Sequence, residues 1–244
     1  TGGVATFYER IAGSLIQRYD LTVLTVPTDA LMPKTPYTVI RRVFFFKTLR
    51  PHWLKLFPLL FSVIRKVKPD VIHVGHVLPT GTVVFLLTRV FRIPYVVYIH
   101  GMDVTVPLRS VRKQWIMQKI LSHANGIIAT NQFILDITEK HFRHLPRLTC
   151  IMPLTQPPEH MPSEEEKHGL RQKYRLSDKT FILLTVGRLV KRKGYHDTLC
   201  ALADMVKQGN DIHYFIVGKG PEEKNIRQDI RDYRLEKYVT LTGF

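Results

Sequence analysis

Short apolar runs alternate along the chain with longer stretches in which apolar positions recur every three or four residues. The runs rich in β-branched and aromatic residues lie at positions 21–26, 71–74, 95–99, 126–130, 181–186, 214–217 and 238–242. Between them, Val4, Phe7, Ile11 and Leu15 mark one face of a helix. Leu54, Phe57, Phe61, Ile64 and Val67 mark a second, and Leu199, Leu202, Met205 and Val206 a third. A period of 3.6 residues places such positions on one stripe. The strand runs lack polar alternation, as parallel strands covered on both faces do. Strand–helix alternation predicts βαβ units and an α/β class.

One stretch breaks the pattern. Residues 155–167 hold Pro157, Pro158 and Pro162, then Glu164, Glu165 and Glu166. Prolines remove backbone donors, and the acidic run has no apolar face to bury, which predicts a linker. It separates a domain at 1–154 from the start of a second at 168–244. The second segment fits strand, helix, strand, helix, strand, which is half of a doubly wound domain. The chain opens Thr1-Gly2-Gly3 and stops just after a strand. It therefore reads as a piece truncated at both ends.

Composition narrows the class. Hydrophobic residues make up 45% of the 244 and charged residues 23%, an ordinary globular balance that excludes wholesale disorder. The formal net charge is +16. Residues 1–162 hold 20 Lys/Arg against 8 Asp/Glu, so most of the excess lies in the first two thirds. Such a balance predicts an anionic partner. The two cysteines, Cys150 and Cys200, make no disulfide framework and read as buried thiols of a cytoplasmic protein. No uncharged apolar run reaches the ~18–20 residues of a membrane span. The longest, at 80–87, is followed by Arg89.

Candidate chemistry falls at the ends of strand runs, where open α/β sheets bind ligands. Gly2 and Gly3 precede the first helix: either a turn pair, or a site where backbone and helix dipole approach phosphate. After the run at 181–186 comes Gly187-Arg188-Leu189-Val190-Lys191-Arg192-Lys193-Gly194. Arg188 can fork onto phosphate oxygens and Lys193 can act as a point charge, while Lys191 and Arg192 fit a solvated loop. Gly218-Lys219-Gly220-Pro221 is another strand-to-helix turn, either tight or shaping a nucleotide pocket. No phosphate loop of the Gly-x4-Gly-Lys-Ser/Thr type occurs, which argues against an ATPase or GTPase.

His73, His76 and the group His100-Gly101-x-Asp103 follow neighbouring strands, so they are either structural hydrogen-bonders or parts of one polar cleft. Their spacing is not that of a zinc site. The stretch 41–68 holds Arg41, Arg42, Lys47, Arg50, Lys55, Arg65, Lys66 and Lys68 among Phe44, Phe45, Phe46, Trp53, Leu54, Phe57 and Phe61, with no acid. That pattern fits a core helix with a solvated basic face, or a segment lying on anionic lipid. No nucleic-acid motif accompanies the charge, so nucleic acid is not expected as a partner.

In order and spacing these pieces resemble the family 4 glycosyltransferases, retaining enzymes of the GT-B fold. The resemblance is carried by Gly2-Gly3, by Lys68-Pro69-Asp70-Val71-Ile72-His73 with Leu78-Pro79-Thr80-Gly81, and by Ile93-Pro94-Tyr95-Val96-Val97 with His100-Gly101. It continues through Gly126-Ile127-Ile128-Ala129-Thr130, Val186-Gly187-Arg188 with Lys193-Gly194, Ile216-Val217-Gly218-Lys219-Gly220-Pro221, and Val239-Thr240-Leu241-Thr242-Gly243-Phe244.

The resemblance implies two Rossmann-like domains, the second incomplete, with the active site between them. It implies transfer of a sugar from a nucleotide-diphosphate sugar, without a metal cofactor, to a glycan or lipid-linked acceptor. The setting it implies is cell-surface polysaccharide or glycolipid synthesis, in the cytoplasm or at the membrane periphery. Arg188 and Lys193 are then expected to hold the donor diphosphate, with Gly2 and Gly3 behind it. His100 is expected to act on the transferred sugar, and His73, His76, Gly101, Asp103, Gly218 and Gly220 to line the cleft. Two departures stand out. Ile151-Met152-Pro153-Leu154-Thr155-Gln156 replaces the family's Asn-Gly after the last strand of the first domain. The family's glutamate pair spaced by seven, and its first strand, fall outside 1–244, so the chain is expected to be inactive or much weakened alone; the alternative is a non-catalytic nucleotide-sugar-binding module.

Overall fold

Residues 3–27, 35–44, 51–146, 149–151 and 160–243 are described in a computed structural model of the chain. The chain divides into two compact units, Thr1–Gln156 and Pro157–Phe244.

The first unit begins with helix α1 (Gly3–Leu15) and a parallel pair of short strands, β1 (Thr22–Thr25) and β2 (Thr38–Arg41), in which Val23 faces Val39. Helix α2 (Leu56–Val67) follows a 3-10 turn at His52–Lys55. Leu56, Leu60 and Ile64 recur every fourth residue and are buried. Arg65 and Lys66 occupy the last turn, where cations complement the helix dipole. Then come β3 (Ile72–Val74), α3 (Thr80–Phe91), β4 (Tyr95–Ile99), the single turn α4 (Met102–Thr105), α5 (Val111–Ser122), β5 (Gly126–Ala129), α6 (Gln132–His141) and β6 (Thr149–Ile151).

β3, β4, β5 and β6 lie side by side in that order, all parallel, with His73 opposite Val96 and Val97 opposite Ile127. Val97, Ile99, Ile127 and Ala129 are fully buried between helix layers, which explains their unbroken apolar sequence. The apolar run at 80–87 is α3, which buries Val83, Val84 and Leu87. α5 buries Met117, Ile120 and Leu121, and the Tyr95 hydroxyl donates to Ile120 O at 2.6 Å. Asn131 caps α6 by accepting from the Ile134 amide.

The second unit is a parallel sheet of β7 (Phe181–Val186), β8 (Ile212–Val217) and β9 (Val239–Gly243) in that order, with α7 (Glu164–Lys173), α8 (Tyr195–Lys207) and α9 (Glu223–Asp232). Leu183 faces Tyr214, and Ile216 faces Leu241. Leu189, Leu199, Leu202, Tyr214, Ile216, Ile226 and Ile230 form its core. β7 lies at one edge of this sheet, and Phe181, Leu184 and Val186 on it are exposed.

Three expectations need correction. Glu164 to Lys167, expected in the linker, form the start of α7. Ser163 accepts from the Glu166 amide while the Glu166 carboxylate accepts from the Ser163 amide, a reciprocal cap that the Ser-x-x-Glu spacing encodes. Cys200, expected to be buried, is exposed on α8 because Leu199 and Leu202 take its inward positions. β2 and β6 were not foreseen; each is only three or four residues long. Gly2, Lys47, Arg50, Phe45, Phe46 and residues 152–159 lie outside the described residues.

Candidate functional site

In the first unit His76 and His100 lie just past the carboxyl ends of β3 and β4, whereas His73, expected to follow its strand, is the middle residue of β3. His100 ends the β4 run, and Gly101 follows with φ +131°, a conformation L side chains rarely adopt. The turn is fixed by Asp103, whose carboxylate accepts from the amides of His100 at 2.9 Å and Gly101 at 2.8 Å. The spacing His-Gly-x-Asp is therefore a loop that closes on its own backbone, aiming the imidazole off the strand end.

The His100 ring meets a residue that the sequence reading did not single out. The Tyr8 hydroxyl, on α1, donates to Gly75 O at 2.7 Å. Its one proton is thereby used, so its 2.5 Å contact with His100 Nε2 requires Nε2 to donate. His100 thus carries a proton on Nε2, and burial, which lowers its pKa, favours the neutral Nε2–H form. Its Nδ1 is buried and has no hydrogen-bond partner among the described residues. Burial pulls the His100 pKa down, Asp103 pulls it back up in part, and His76 lowers it further. Burial also pushes the Tyr8 phenol far above its ordinary range, so it stays protonated.

Phe7 and Tyr8 both stand edge-on to the His100 ring, at centroid distances of 5.1 and 5.3 Å. Gly75 lies against the Tyr8 ring, where a Cβ would come within 3.1 Å. His73 hydrogen-bonds the Tyr98 hydroxyl through Nδ1 at 2.9 Å, which places it in a structural pair. His76 is exposed in the turn after β3. Gly3 is the first residue of α1. The signal for Tyr8 was faint: a tyrosine beside Phe7, just off the apolar stripe of the first helix.

In the second unit the loops after all three strands are joined through their backbones. The Gly187 amide donates to Val217 O, the Leu189 amide to Lys219 O, and the Gly218 amide to Gly243 O. The approach is so close that a Cβ on Gly218 would lie 1.9 Å from Gly187 O, and one on Gly220 would lie 2.2 Å from Leu189 O. Gly218 and Gly220 are thus required by backbone contact with the Arg188 loop.

Arg188 and Lys193 are both exposed and form no ion pair among the described residues. A 3-10 turn at Lys191–Lys193 and Gly194, at φ +67°, carry the chain back into α8. That return brings the Lys193 side chain beside Gly187, at 3.8 Å from the position of a Cβ there. Lys219, not singled out beforehand, adds a third exposed cation on the adjoining loop. These cations sit on the loops after β7 and β8, with Asp197 and Glu222 as the nearest acids in sequence. Among the described residues no group of three or more His, Cys, Asp or Glu is arranged to hold a metal ion.

Parallel α/β layers with their polar groups gathered at strand C-termini define a Rossmann-like ligand-binding class. Residues 1–153 match the family described as Glycosyltransferase Family 4, and residues 166–244 match Glycosyl transferases group 1. The chain belongs to Glycosyltransferase Family 4. Its fold class is α/β of the GT-B type. A structure of Anabaena Alr3699/HepE with UDP-glucose is similar with a TM-score of 0.75 at 19% identity, covering 100% of this chain and 66% of that one.

An alpha-D-kanosaminyltransferase of Streptomyces kanamyceticus is 34% identical over 82 residues, 34% of this chain and 21% of that protein. An alpha-monoglucosyldiacylglycerol synthase of Streptococcus pneumoniae is 19% identical over 192 residues, 75% of this chain and 44% of that protein. The chain thus spans less than half the length of these two relatives.

Proposed function

We propose that the chain is part of a retaining glycosyltransferase that moves a sugar from a nucleotide-diphosphate donor to a glycan or lipid-linked acceptor in polysaccharide or glycolipid synthesis. The observation that carries the reading is the exposed pair Arg188 and Lys193, without acidic partners among the described residues, on a loop locked to the next strand end by Gly218 and Gly220. Breaking a glycosidic bond to a nucleotide diphosphate sends negative charge onto the leaving phosphates. Preorganised cations stabilise that developing charge without having to move. In this reading Arg188 grips phosphate oxygens in a fork, Lys193 adds a mobile charge, and no metal ion is needed. His100 contacts the transferred sugar; its neutral state suits hydrogen bonding to hydroxyls.

His76, Gly101 and Asp103 belong to the same cleft, and His73 serves it indirectly through Tyr98. The match to a structure holding UDP-glucose and the relatives named for glycosyl transfer and for glucosyldiacylglycerol synthesis support the donor and acceptor classes.

The same reading sets the protein at the cytoplasmic face of a membrane. No helix among the described residues is long and apolar enough to cross one. α2 offers a contact instead, with Arg65, Lys66 and Phe61 on its outer side and Arg65 stacked over the Phe61 ring at 5.9 Å. Calorimetric titration of the chain with UDP and UDP-glucose tests the donor site. Arg188→Ala and Lys193→Ala should each weaken binding at least tenfold, because a charge-assisted hydrogen bond contributes about 1.5–3 kcal/mol. Unchanged affinity in both variants refutes the assignment.

A further inference from the structure

Beside the His100 loop, the first unit holds an open cleft of about 1020 Å³. That is at the upper end of the ~300–1,000 Å³ of ordinary ligand sites. Its wall is apolar, built from Trp53, Leu78, Met102, Val106, Pro107 and Ile116. Met102 and Val106 remain 59% and 40% exposed although they sit on the turn that carries Asp103. Asp103 is the acidic group in this lining, and its carboxylate is already bound to two backbone amides. Against this apolar wall, and besides its charged groups, the lining offers chiefly the hydroxyls of Thr82 and Ser110 as further hydrogen-bonding groups, few for a carbohydrate.

Cations stand at one side. Arg112 and Lys113 line the cleft, are exposed, and form no ion pair among the described residues. They occupy the first turn of the twelve-residue α5, whose N-cap Ser110 also lines the cleft and makes no side-chain hydrogen bond to that turn. The helix dipole and two guanidinium or ammonium charges therefore act together there. α5 also exposes Val111 and Trp115 beside them, with Lys119 over the Trp115 ring at 5.8 Å. Apolar wall and cationic mouth together complement one kind of molecule: a long apolar chain ending in phosphate.

We propose that this cleft binds an anionic lipid, its apolar chain against Met102, Val106 and Ile116 and its phosphate at Arg112, Lys113 and the start of α5. Naming that lipid the sugar acceptor rests on the glycosyl-transfer reading, since the cleft adjoins Asp103 and thereby the His100 loop. The binding itself does not.

The test is equilibrium binding of farnesyl phosphate to the 244-residue chain below micellar concentration, beside farnesol and inorganic phosphate. Farnesyl phosphate should bind at least tenfold more tightly than farnesol, and millimolar inorganic phosphate should not displace it. Val106→Asp and Met102→Asp, both at exposed positions, should each weaken binding about tenfold. The double change Arg112→Ala with Lys113→Ala should bring farnesyl phosphate and farnesol to similar affinity. Thermal unfolding of each variant verifies that it is folded. Equal binding by the wild type and both wall variants, or equal affinity for farnesyl phosphate and farnesol in the wild type, overturns the proposal. So does flotation with phosphatidylglycerol vesicles without binding of free farnesyl phosphate, which assigns the cations to a membrane surface. UDP binding measured on the same samples separates the two readings: retained UDP binding with no farnesyl phosphate binding refutes only the lipid cleft.

Discussion

Replacing Gly218 by alanine probes how the cation loop is held. The added methyl would sit 1.9 Å from Gly187 O and 2.9 Å from Gly187 C, separations that real Cβ atoms essentially never show. The obstacle is backbone, so no side-chain rotation relieves it. The loops must part by more than 1 Å, roughly the gap to ordinary contact. Parting them strains the bonds from Gly187 to Val217 and from Leu189 to Lys219. The φ of +149° at Gly218 adds conformational cost for an L residue. Overpacking of about 1–3 kcal/mol and backbone strain of about 1–3 kcal/mol give a destabilisation of about 2–6 kcal/mol.

Hydrogen exchange on peptides from β7 and β8 reads this unit directly. Exchange there should accelerate by roughly 25-fold or more, at about 1.4 kcal/mol per tenfold. Gly209→Ala is the control. Gly209 also has positive φ, at +83°, but a Cβ there meets nothing within 4 Å. It should cost only the strain, about 1 kcal/mol. If the two variants exchange within threefold of each other, the close approach of the two loops is not what makes Gly218 necessary.

Tyr8→Phe should destabilise the first unit by about 1–3 kcal/mol in denaturant titration, because Gly75 O and His100 Nε2 both lose their partner. Burial lowers the pKa of both His100 and His213, so the folded chain resists protons that the unfolded chain accepts. Unfolding free energy should therefore be level above pH ~7 and fall as pH drops below the unfolded value near 6.5, an acid-side loss that His213→Gln reduces. Ser163→Ala removes the reciprocal cap on α7, which buries no residue, and should cost about 1 kcal/mol of local helix stability, seen as faster proteolysis near residue 165. Cys200 should react with a thiol reagent in the folded protein, and peptide mapping should place the label on α8.

Elements with strong apolar patterns were legible in the sequence. The runs that became β4, β5 and β8 were found because burial on both faces leaves no polar position to blur them; β7 was found because it is just as apolar, although the structure leaves it largely exposed at a sheet edge. α1, α2 and α8 were found as helices from their 3.6-residue period, but the expected face of α2 was misplaced: Leu54, Phe61 and Val67 are exposed, and Leu56, Leu60 and Ile64 form the buried stripe. α7 was missed because it is polar on every side, so no period marks it and its first turn of glutamates read as a linker. β2 and β6 were too short to register against their surroundings.

The candidate residues divide in the same way. Arg188, Lys193, His100 and Asp103 were visible because their chemistry and their place after a strand are local properties. The glycines of the second unit were visible as a motif, but two explanations for them stood equal. The structure decides between these through a contact across strands: Gly218 and Gly220 face the carbonyls of Gly187 and Leu189, some thirty residues away in sequence. Tyr8 illustrates the limit more sharply. Its hydroxyl fixes the protonation of a histidine 92 residues further along, and no local pattern carries a pairing of that kind.

By itself, the sequence determined the class of this protein, its basic balance and the strand ends on which its chemistry sits, since composition and period are properties of short windows. Only the tertiary structure decided which glycines are indispensable, which tautomer His100 holds, and that an apolar cleft with a cationic mouth adjoins the His100 loop. Those are set by distances between segments far apart in the chain, and such distances exist only once it has folded.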